Sequence, residues 1–164
     1  MPNTFDLRDG IMSGLELKVI PDVVWLVAAG LMWLVATLTP SLSVPAWLRL
    51  VGTLALLGAG LGLIVAARAD LARAHTTFNP MAPNRSSDLV TTGVYRFTRN
   101  PMYLGMLLVL VAFGAWLSSP YALIVPVAFA VYIARLQIRP EERVLRARFG
   151  SDYNDYVNRV RRWF

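Results

Sequence analysis

Four apolar runs dominate the pattern of hydrophobic and polar positions along this chain. They cover residues 21–39, 48–67, 101–117 and 121–138, and each contains at most one charged residue. Each run is about as long as a helix needs to be to cross the hydrocarbon core of a bilayer. The pattern therefore predicts an all-α, polytopic integral membrane protein with about four transmembrane helices, organised as a single domain over residues 1–164.

Arginine is concentrated in two segments and is missing from the short turns that join the runs in pairs. The turns at residues 40–45 and 117–121 contain none, whereas residues 68–100 contain five and the tail from Arg135 onward contains eight. Positive residues accumulate on the cytoplasmic side of membrane proteins. We therefore expect a cytoplasmic 68–100 loop and two cytoplasmic termini, in a bacterial inner membrane.

Composition excludes several kinds of chemistry. The chain is 56% hydrophobic and 16% charged, which is too apolar for a soluble domain of this size. It has no cysteine and one histidine, so a thiolate nucleophile and a cysteine- or histidine-rich metal site are excluded. The histidine, His75, lies in a polar loop, where solvation is commoner than a functional role. The basic residues that give the chain its net charge of +6 lie beside the apolar runs, which favours contacts with lipid headgroups over contacts with nucleic acid.

The stretch 93–105, GVYRFTRNPMYLG, brings arginines, tyrosines and a proline to the start of the third run. The proline favours a helix that begins at Pro101, where its missing N–H costs little. Arg96, Arg99 and Tyr103 would then crowd the N-terminus of this helix, which presents unpaired N–H groups. Such a helix start can bind a carboxylate, a phosphate or a nucleotide.

A second polar group follows the fourth run, where Glu141 and Glu142 come directly after Pro140. A proline and two acids suit the first turn of any helix, because proline fits there and the helix dipole favours carboxylates. The alternative is a binding role, in which the pair and its arginine neighbours hold ribose hydroxyls or an ammonium group. The residues alone leave both alternatives open.

The end of the chain predicts a separate helix after Gly150, because that glycine ends the preceding one. Its apolar side chains recur at helical spacing and arginines occupy the remaining positions. The apolar side chains are those of Tyr153, Tyr156, Val157, Val160, Trp163 and Phe164. This pattern is typical of a helix in the membrane interface, which acts as an anchor or a lid.

The second run contains Gly58-x-x-x-Gly62, a spacing that lets a neighbouring helix approach closely. Four spans must pack against each other in so short a chain. The motif therefore predicts packing within the molecule in preference to dimerisation, and the oligomeric state is left open.

Three segments taken together resemble the isoprenylcysteine carboxyl methyltransferase and phospholipid methyltransferase superfamily. They are GVYRFTRNPMYLG, PEERVLRARFG and DYNDYVNRVRRWF, with a membrane hairpin between the first two. The superfamily pattern is similar to G-x-Y-x-x-x-R-H-P-x-Y-x-G followed by a Glu-Glu pair. The resemblance covers the C-terminal part of the chain and implies an integral membrane methyltransferase. Its cofactor would be S-adenosylmethionine, held by the loop, the start of the third span and the tail.

Carried over residue by residue, the resemblance implies one set of cofactor-binding residues. The set is Tyr95, Arg99, Asn100, Tyr103, Gly105, Glu141 and Glu142. Tyr153, Tyr156 and Arg159 match the tail of the pattern. Asn100 departs from it, because many members carry histidine there and an amide cannot act as a base near neutral pH. Since the hairpin returns the chain to the same membrane face, we expect the glutamate pair beside the start of the third span.

The implied chemistry asks little of the protein. Methyl transfer from a sulfonium is an in-line displacement, in which alignment and the exclusion of water matter most. Tyr95 and Tyr103 would face the sulfonium or anchor the interface. Arg96 and Arg139 are the candidate catalytic residues, because either can orient an acceptor carboxylate. An amine or thiol acceptor would need a base such as Glu141.

The expected partner is a lipophilic small molecule or a lipid that reaches the site from the membrane. A charged cofactor arrives from water, whereas an amphiphilic acceptor can stay between the helices. The arginine excess favours an isoprenylcysteine-like carboxylate as the acceptor. The alternatives are a phospholipid, a small amine or thiol, and a non-catalytic or lipid-binding protein on the same scaffold.

Overall fold

The computed structural model describes residues 20–74 and 88–163, and every regular element within them is helical. Within them, four α-helices form two hairpins, and a fifth α-helix leaves the fourth through a π-helical segment. The elements are α1 (Pro21–Leu38), α2 (Ala46–Arg73), a 3₁₀ turn (Gly93–Arg96), α3 (Pro101–Leu117), a second 3₁₀ turn (Tyr121–Leu123), α4 (Ile124–Ile133), the π-helix (Ala134–Ile138) and α5 (Arg139–Arg159).

The helices confirm a polytopic membrane protein. α1, α2 and the continuous helical stretch Tyr121–Arg159 are long and apolar enough to cross a membrane, and α3 is a shorter apolar helix of 17 residues. Within the long stretch, residues 121–138 form the apolar part, and α5, which follows them, is rich in charged residues. α2 starts two residues before the predicted run and continues six residues beyond it, through Arg73.

The turns between the helices bring the two hairpins together at one end of the bundle, here called the turn end. The backbone N–H of Leu42 donates to the carbonyl of Ser118 at 2.8 Å, and the hydroxyls of Thr39 and Ser119 are 3.3 Å apart. The start of α1, the end of α2 and the start of α3 therefore lie together at the opposite end, here called the polar end.

The closest helix contact joins α2 and α3 through two glycines. A Cβ added at Gly60 would lie 2.8 Å from the carbonyl oxygen of Gly105, and one added at Gly105 would lie 2.6 Å from that of Gly60. The prediction for Gly58 and Gly62 is wrong, since a Cβ at either would meet no described atom within 4 Å. At 100° per residue, Gly60 faces away from both of them.

The core is built from the inner faces of α1, α3 and the stretch that follows the second hairpin turn. Met32, Leu110, Ile133 and Ile138 are among its fully buried side chains. Many other large apolar side chains are exposed on the outside of the bundle, for example Leu54 at 56%. An exposed apolar surface of this kind is what a helix bundle presents to lipid.

The tail bends at Gly150 as predicted, because this glycine has φ 51° and ψ −117° inside α5. The aromatic face beyond the bend is turned towards the protein. Tyr153 and Tyr156 are 2% and 3% exposed and pack with Val160 and Leu89. This burial agrees with the lid alternative and not with a membrane anchor. Phe164 lies outside the described residues.

Candidate functional site

A cavity of about 710 Å³ opens at the polar end, beneath the tail. It is here called the main cavity. It lies between the start of α3, the first turns of α5 and the aromatic face of the tail. Its lining residues are Leu71, Asp88, Leu89, Val90, Tyr95, Arg99, Asn100, Pro101, Met102, Tyr103, Glu141, Glu142, Leu145, Tyr153 and Tyr156. The two motifs found in the sequence therefore meet in one site.

Glu141 is the most buried charged residue of the main cavity, at 6% exposure. The Tyr103 hydroxyl donates to its Oε1 at 2.6 Å. Burial raises the pKa of Glu141 to about 8, the neighbouring Glu142 charge also raises it, and the Tyr103 hydrogen bond partly offsets both. The carboxyl group therefore keeps its proton at neutral pH.

Glu142 has the opposite environment. It accepts from Nη2 of Arg99 at 2.9 Å and from Nη2 and Nε of Arg162 at 2.5 and 3.1 Å. Burial opposes ionisation, but the hydrogen bonds and charges of Arg162 and Arg99 outweigh it and lower the pKa of Glu142. This carboxylate stays charged and links the start of α3 to the end of the tail.

The tail is tied to the start of α3 by further hydrogen bonds. Arg99 donates through Nη1 to the carbonyls of Val157 and Val160, at 3.2 and 2.7 Å. Asn100 donates through Nδ2 to the carbonyl of Arg162 at 3.0 Å, and the Thr98 hydroxyl donates to the same oxygen at 3.1 Å. Asn100, which departs from the superfamily pattern, therefore holds the tail against the start of α3 with its side-chain amide.

A residue of α2 fixes the 3₁₀ turn that carries Tyr95. The Asp70 carboxylate accepts from the backbone N–H of Val94 at 2.8 Å. Gly93 has φ 60°, and a Cβ there would lie 1.9 Å from Asp70 Oδ2, so only glycine fits. The Tyr156 hydroxyl donates to the Tyr95 carbonyl at 2.7 Å, which joins this turn to the lid.

Sequence reasoning missed both Asp70 and Gln137. Gln137 is 3% exposed, lies in the π-helix and shares a hydrogen bond with the Tyr103 hydroxyl. Gln137 and Glu141 are four residues apart and both reach Tyr103. The signal available in the sequence was the position of Gln137, a polar residue at the end of an apolar span. Polar residues within membrane spans occur often at functional sites, and so do π-helical turns.

Six of the nine predicted site residues line the main cavity. They are Tyr95, Arg99, Asn100, Tyr103, Glu141 and Glu142. The expected meeting of the glutamate pair with the start of α3 is confirmed by the contacts of Glu141 with Tyr103 and of Glu142 with Arg99. Residues 20–74 and 88–163 contain no group of three histidine, cysteine, aspartate or glutamate side chains placed to hold a metal ion.

The other three predicted site residues lie elsewhere. Arg96 is exposed and stacks over the Phe97 ring at 4.5 Å. Arg139 is exposed on α5, two residues and about 200° before Glu141, so it points away from the main cavity. Gly105 packs against Gly60, and helix packing accounts for the glycine. His75 lies outside the described residues.

Comparison with known proteins finds one family and several relatives with similar sequences. The model of the phospholipid methyltransferase family matches residues 48–152. An uncharacterized protein of Haemophilus influenzae is 40% identical over 62 residues, which are 38% of this chain and 98% of that protein. Protein-S-isoprenylcysteine O-methyltransferase B of Arabidopsis thaliana is 40% identical over 75 residues, 44% of this chain and 36% of the enzyme. A probable enzyme of the same name from Oryza sativa subsp. indica is 37% identical over 75 residues, 38% of its length.

Proposed function

Because this chain belongs to the phospholipid methyltransferase family, we propose that it transfers a methyl group from S-adenosylmethionine to an acceptor that partitions into the membrane. The observation that carries this proposal is the main cavity, in which the family motif and the glutamate pair meet. The chain spans little more than a third of the plant enzymes that it matches. The cofactor and acceptor are therefore proposed from the site.

The lining of the main cavity fits S-adenosylmethionine, which carries an ammonium, a carboxylate and a sulfonium. The cavity is open to solvent on one side, and polar groups that suit each of these charges converge in its lining. Nε of Arg99 is buried and has no hydrogen-bond partner among the described residues, which suits a carboxylate. Glu141 suits the ammonium, and the rings of Tyr95 and Tyr153 suit the sulfonium. No metal is required.

S-adenosylmethionine supplies a methyl group on a positively charged sulfur, and the protein has to align it and exclude water. Tyr103 and Gln137 hold the Glu141 carboxyl in place. Asn100, Arg99 and Glu142 keep the tail closed over the main cavity. Glu141 can take up the proton of an acceptor only in its ionised form, which a pKa of about 8 makes the minor form at pH 7 and half of the population near pH 8.

Two acceptor classes follow from different observations. The names of the plant relatives favour the carboxylate of a prenylated cysteine. The second candidate is a lipid amine. It is favoured by the site itself, because Arg96 and Arg139 lie outside the main cavity while the Glu141 carboxyl group, which can accept a proton once it is ionised, lies inside it.

The experiment is methyl transfer by purified protein in nanodiscs with methyl-labelled S-adenosylmethionine. S-farnesyl-N-acetylcysteine and phosphatidylethanolamine are offered separately. Mild base releases labelled methanol from a methyl ester but not from an N-methyl group, so the product identifies the acceptor class. Binding of S-adenosylmethionine without transfer to either would reject both acceptors, and the absence of binding would reject the proposal as a whole.

We also propose that the polar end faces the cytoplasm of a bacterial cell, because the described arginines of residues 68–74, 88–100 and the tail are concentrated there. Both termini would then be cytoplasmic and the protein would reside in the inner membrane. A reporter enzyme that is active only outside the cytoplasm, fused after Phe164, should be silent. Activity of this fusion would reverse the proposed orientation.

A further inference from the structure

A second cavity opens at the polar end, between the start of α1, the end of α2 and the start of α3. Its volume is about 450 Å³. The charged side chains in its lining, Asp22 and Arg68, belong to the helix ends, and its deeper wall is apolar and includes Trp25, Leu61 and Val109. A cavity with a charged mouth and an apolar interior suits an amphiphile.

One side chain belongs to both cavities. Met102 lines the main cavity and the second cavity, and it precedes Tyr103, whose hydroxyl contacts Glu141. The two spaces are therefore neighbours that share a flexible side chain as their partition. A molecule whose chain filled the second cavity would have its polar end close to the residues of the main cavity.

The second cavity has one wall that the family model does not cover. The match begins at residue 48, so α1 lies outside it. Trp25 of α1 donates through Nε1 to the carbonyl oxygen of Met106 at 3.0 Å, which fixes the indole against α3. The residues of the main cavity come from the end of α2 onward. α1, which lies outside the matched residues, thus lines the second cavity and not the first.

We propose that the second cavity holds the apolar chain of the methyl acceptor, a single-chain amphiphile, and that α1 selects this chain through Trp25. Met102 separates the chain from the cofactor and leaves the reacting end beside Glu141. The volume of about 450 Å³ is an upper limit, because it includes space open to the surroundings, and the cavity is therefore too small for two acyl chains. This inference rests on the proposed function, because it assigns the acceptor side of that reaction.

The direct test is photolabelling in nanodiscs with S-farnesyl-N-acetylcysteine that carries a diazirine at the end of its chain. Peptide mapping should place most of the label around Trp25 and Val109. The Leu61→Phe variant should reduce this label at least fivefold. Leu54→Phe is the matched control, because Leu54 lies two turns away on the same face of α2 but outside the cavity, and should leave the label unchanged.

A kinetic test uses the same headgroup with prenyl, geranyl and farnesyl chains. Leu61→Phe should lower kcat/KM at least tenfold for the farnesyl compound and little for the prenyl compound. Val109→Phe is a second variant with the same expectation, should Leu61→Phe fail to fold. The affinity for S-adenosylmethionine should not change, because neither residue lines the main cavity.

The outcomes separate the two proposals. Label spread evenly over lipid-facing side chains, or an equal loss of kcat/KM for all three chains, overturns the assignment of the second cavity. Label concentrated in this cavity without methylation of any acceptor overturns the proposed reaction, and the cavity then remains a site for a single-chain amphiphile.

Discussion

Glu141 and Glu142 are adjacent in the sequence but have opposite environments. Glu141 is buried against the Tyr103 hydroxyl, and its pKa is raised to about 8. Glu142 lies between the guanidinium groups of Arg99 and Arg162, and its pKa is lowered. Two side chains on successive residues of a helix point about 100° apart, so one reaches the interior and the other the tail.

The comparison separates structural support from ligand binding. The charge of Glu142 is already neutralised by protein groups, so its role is to hold the tail closed. The described residues place no cation within salt-bridge distance of Glu141. In the proposed function, the ammonium group of the cofactor supplies the cation that makes its negative charge favourable. The following predictions test this division, from the largest expected effect to the smallest.

Replacement of Glu142 should destabilise the protein most. Glu142→Gln leaves Arg99 and Arg162 without a carboxylate, and the free energy of unfolding should fall by about 3 kcal/mol, as for a partly buried ion pair that loses one member. Tryptophan fluorescence during unfolding in mixed micelles measures this change, and trypsin should cut the tail faster. Asp155→Asn, an exposed acid of the same tail, is the control. Equal effects of the two substitutions would contradict the assigned role.

The pH dependence of stability should report Glu141. Its pKa in the folded protein lies above the ordinary value of 4.5, so the native state binds more protons than the unfolded state between pH 4.5 and about 8. Stability should therefore fall as the pH rises through this window, by about 2 kcal/mol between pH 5 and pH 7. Glu141→Gln should abolish this part of the dependence.

The contribution of Glu142 to the pH dependence of stability has the opposite sign. Because its folded pKa is lowered, its stabilisation is present above its unfolded pKa and is lost as the pH falls through the folded value. A Glu141→Gln variant should therefore retain only the acid-side loss. A Glu141→Gln profile that still declines between pH 5 and pH 7 would show that another group is responsible.

Removal of the Tyr103 hydroxyl should have an intermediate effect. Tyr103→Phe deletes the 2.6 Å hydrogen bond to Glu141 and should cost about 1.5 kcal/mol. Since that bond lowers the pKa of Glu141, the neutral form should persist to higher pH in the variant. The same pH profile of stability measures the shift, and Tyr132→Phe serves as a control outside the main cavity. A shift to lower pH would be inconsistent with the assigned hydrogen bond.

Gln137 should have the smallest effect of this group. Gln137→Leu keeps the size of the side chain and the Tyr103–Glu141 contact but removes one hydrogen bond, at a cost of about 1 kcal/mol or less. Methyl transfer should decrease less than in Tyr103→Phe under the same assay. A larger loss than in Tyr103→Phe would mean that Gln137 itself contacts the ligands.

Much of the fold was predictable because helix length and apolar content determine a membrane span without reference to its neighbours. The start of α3 at Pro101, the extension of α2 through Arg73 and the bend at Gly150 follow from local residue chemistry. The packing of α2 was not predictable. The membrane-spanning part of this helix is apolar on all sides, so the sequence pattern did not distinguish the face of Gly60 from that of Gly58.

The candidate site was predictable to the extent that its residues lie in two motifs joined by a hairpin. The sequence identified Tyr103, Arg99 and the glutamate pair. It did not indicate that Arg96 and Arg139 point away from the main cavity, since direction depends on how each helix is rotated in the bundle. Asp70 was not apparent as part of the site either, because its partner Val94 is distant in sequence.

The sequence by itself determined that this protein is a helical membrane protein of the methyltransferase family, because length, hydropathy and motif spacing are local properties. Only the tertiary structure decided which of two identical carboxyl groups stays neutral and which aromatic face closes the site. It also decided which glycine joins two helices. Burial and hydrogen bonding depend on residues far apart in the chain, so these differences arise only when the helices have packed.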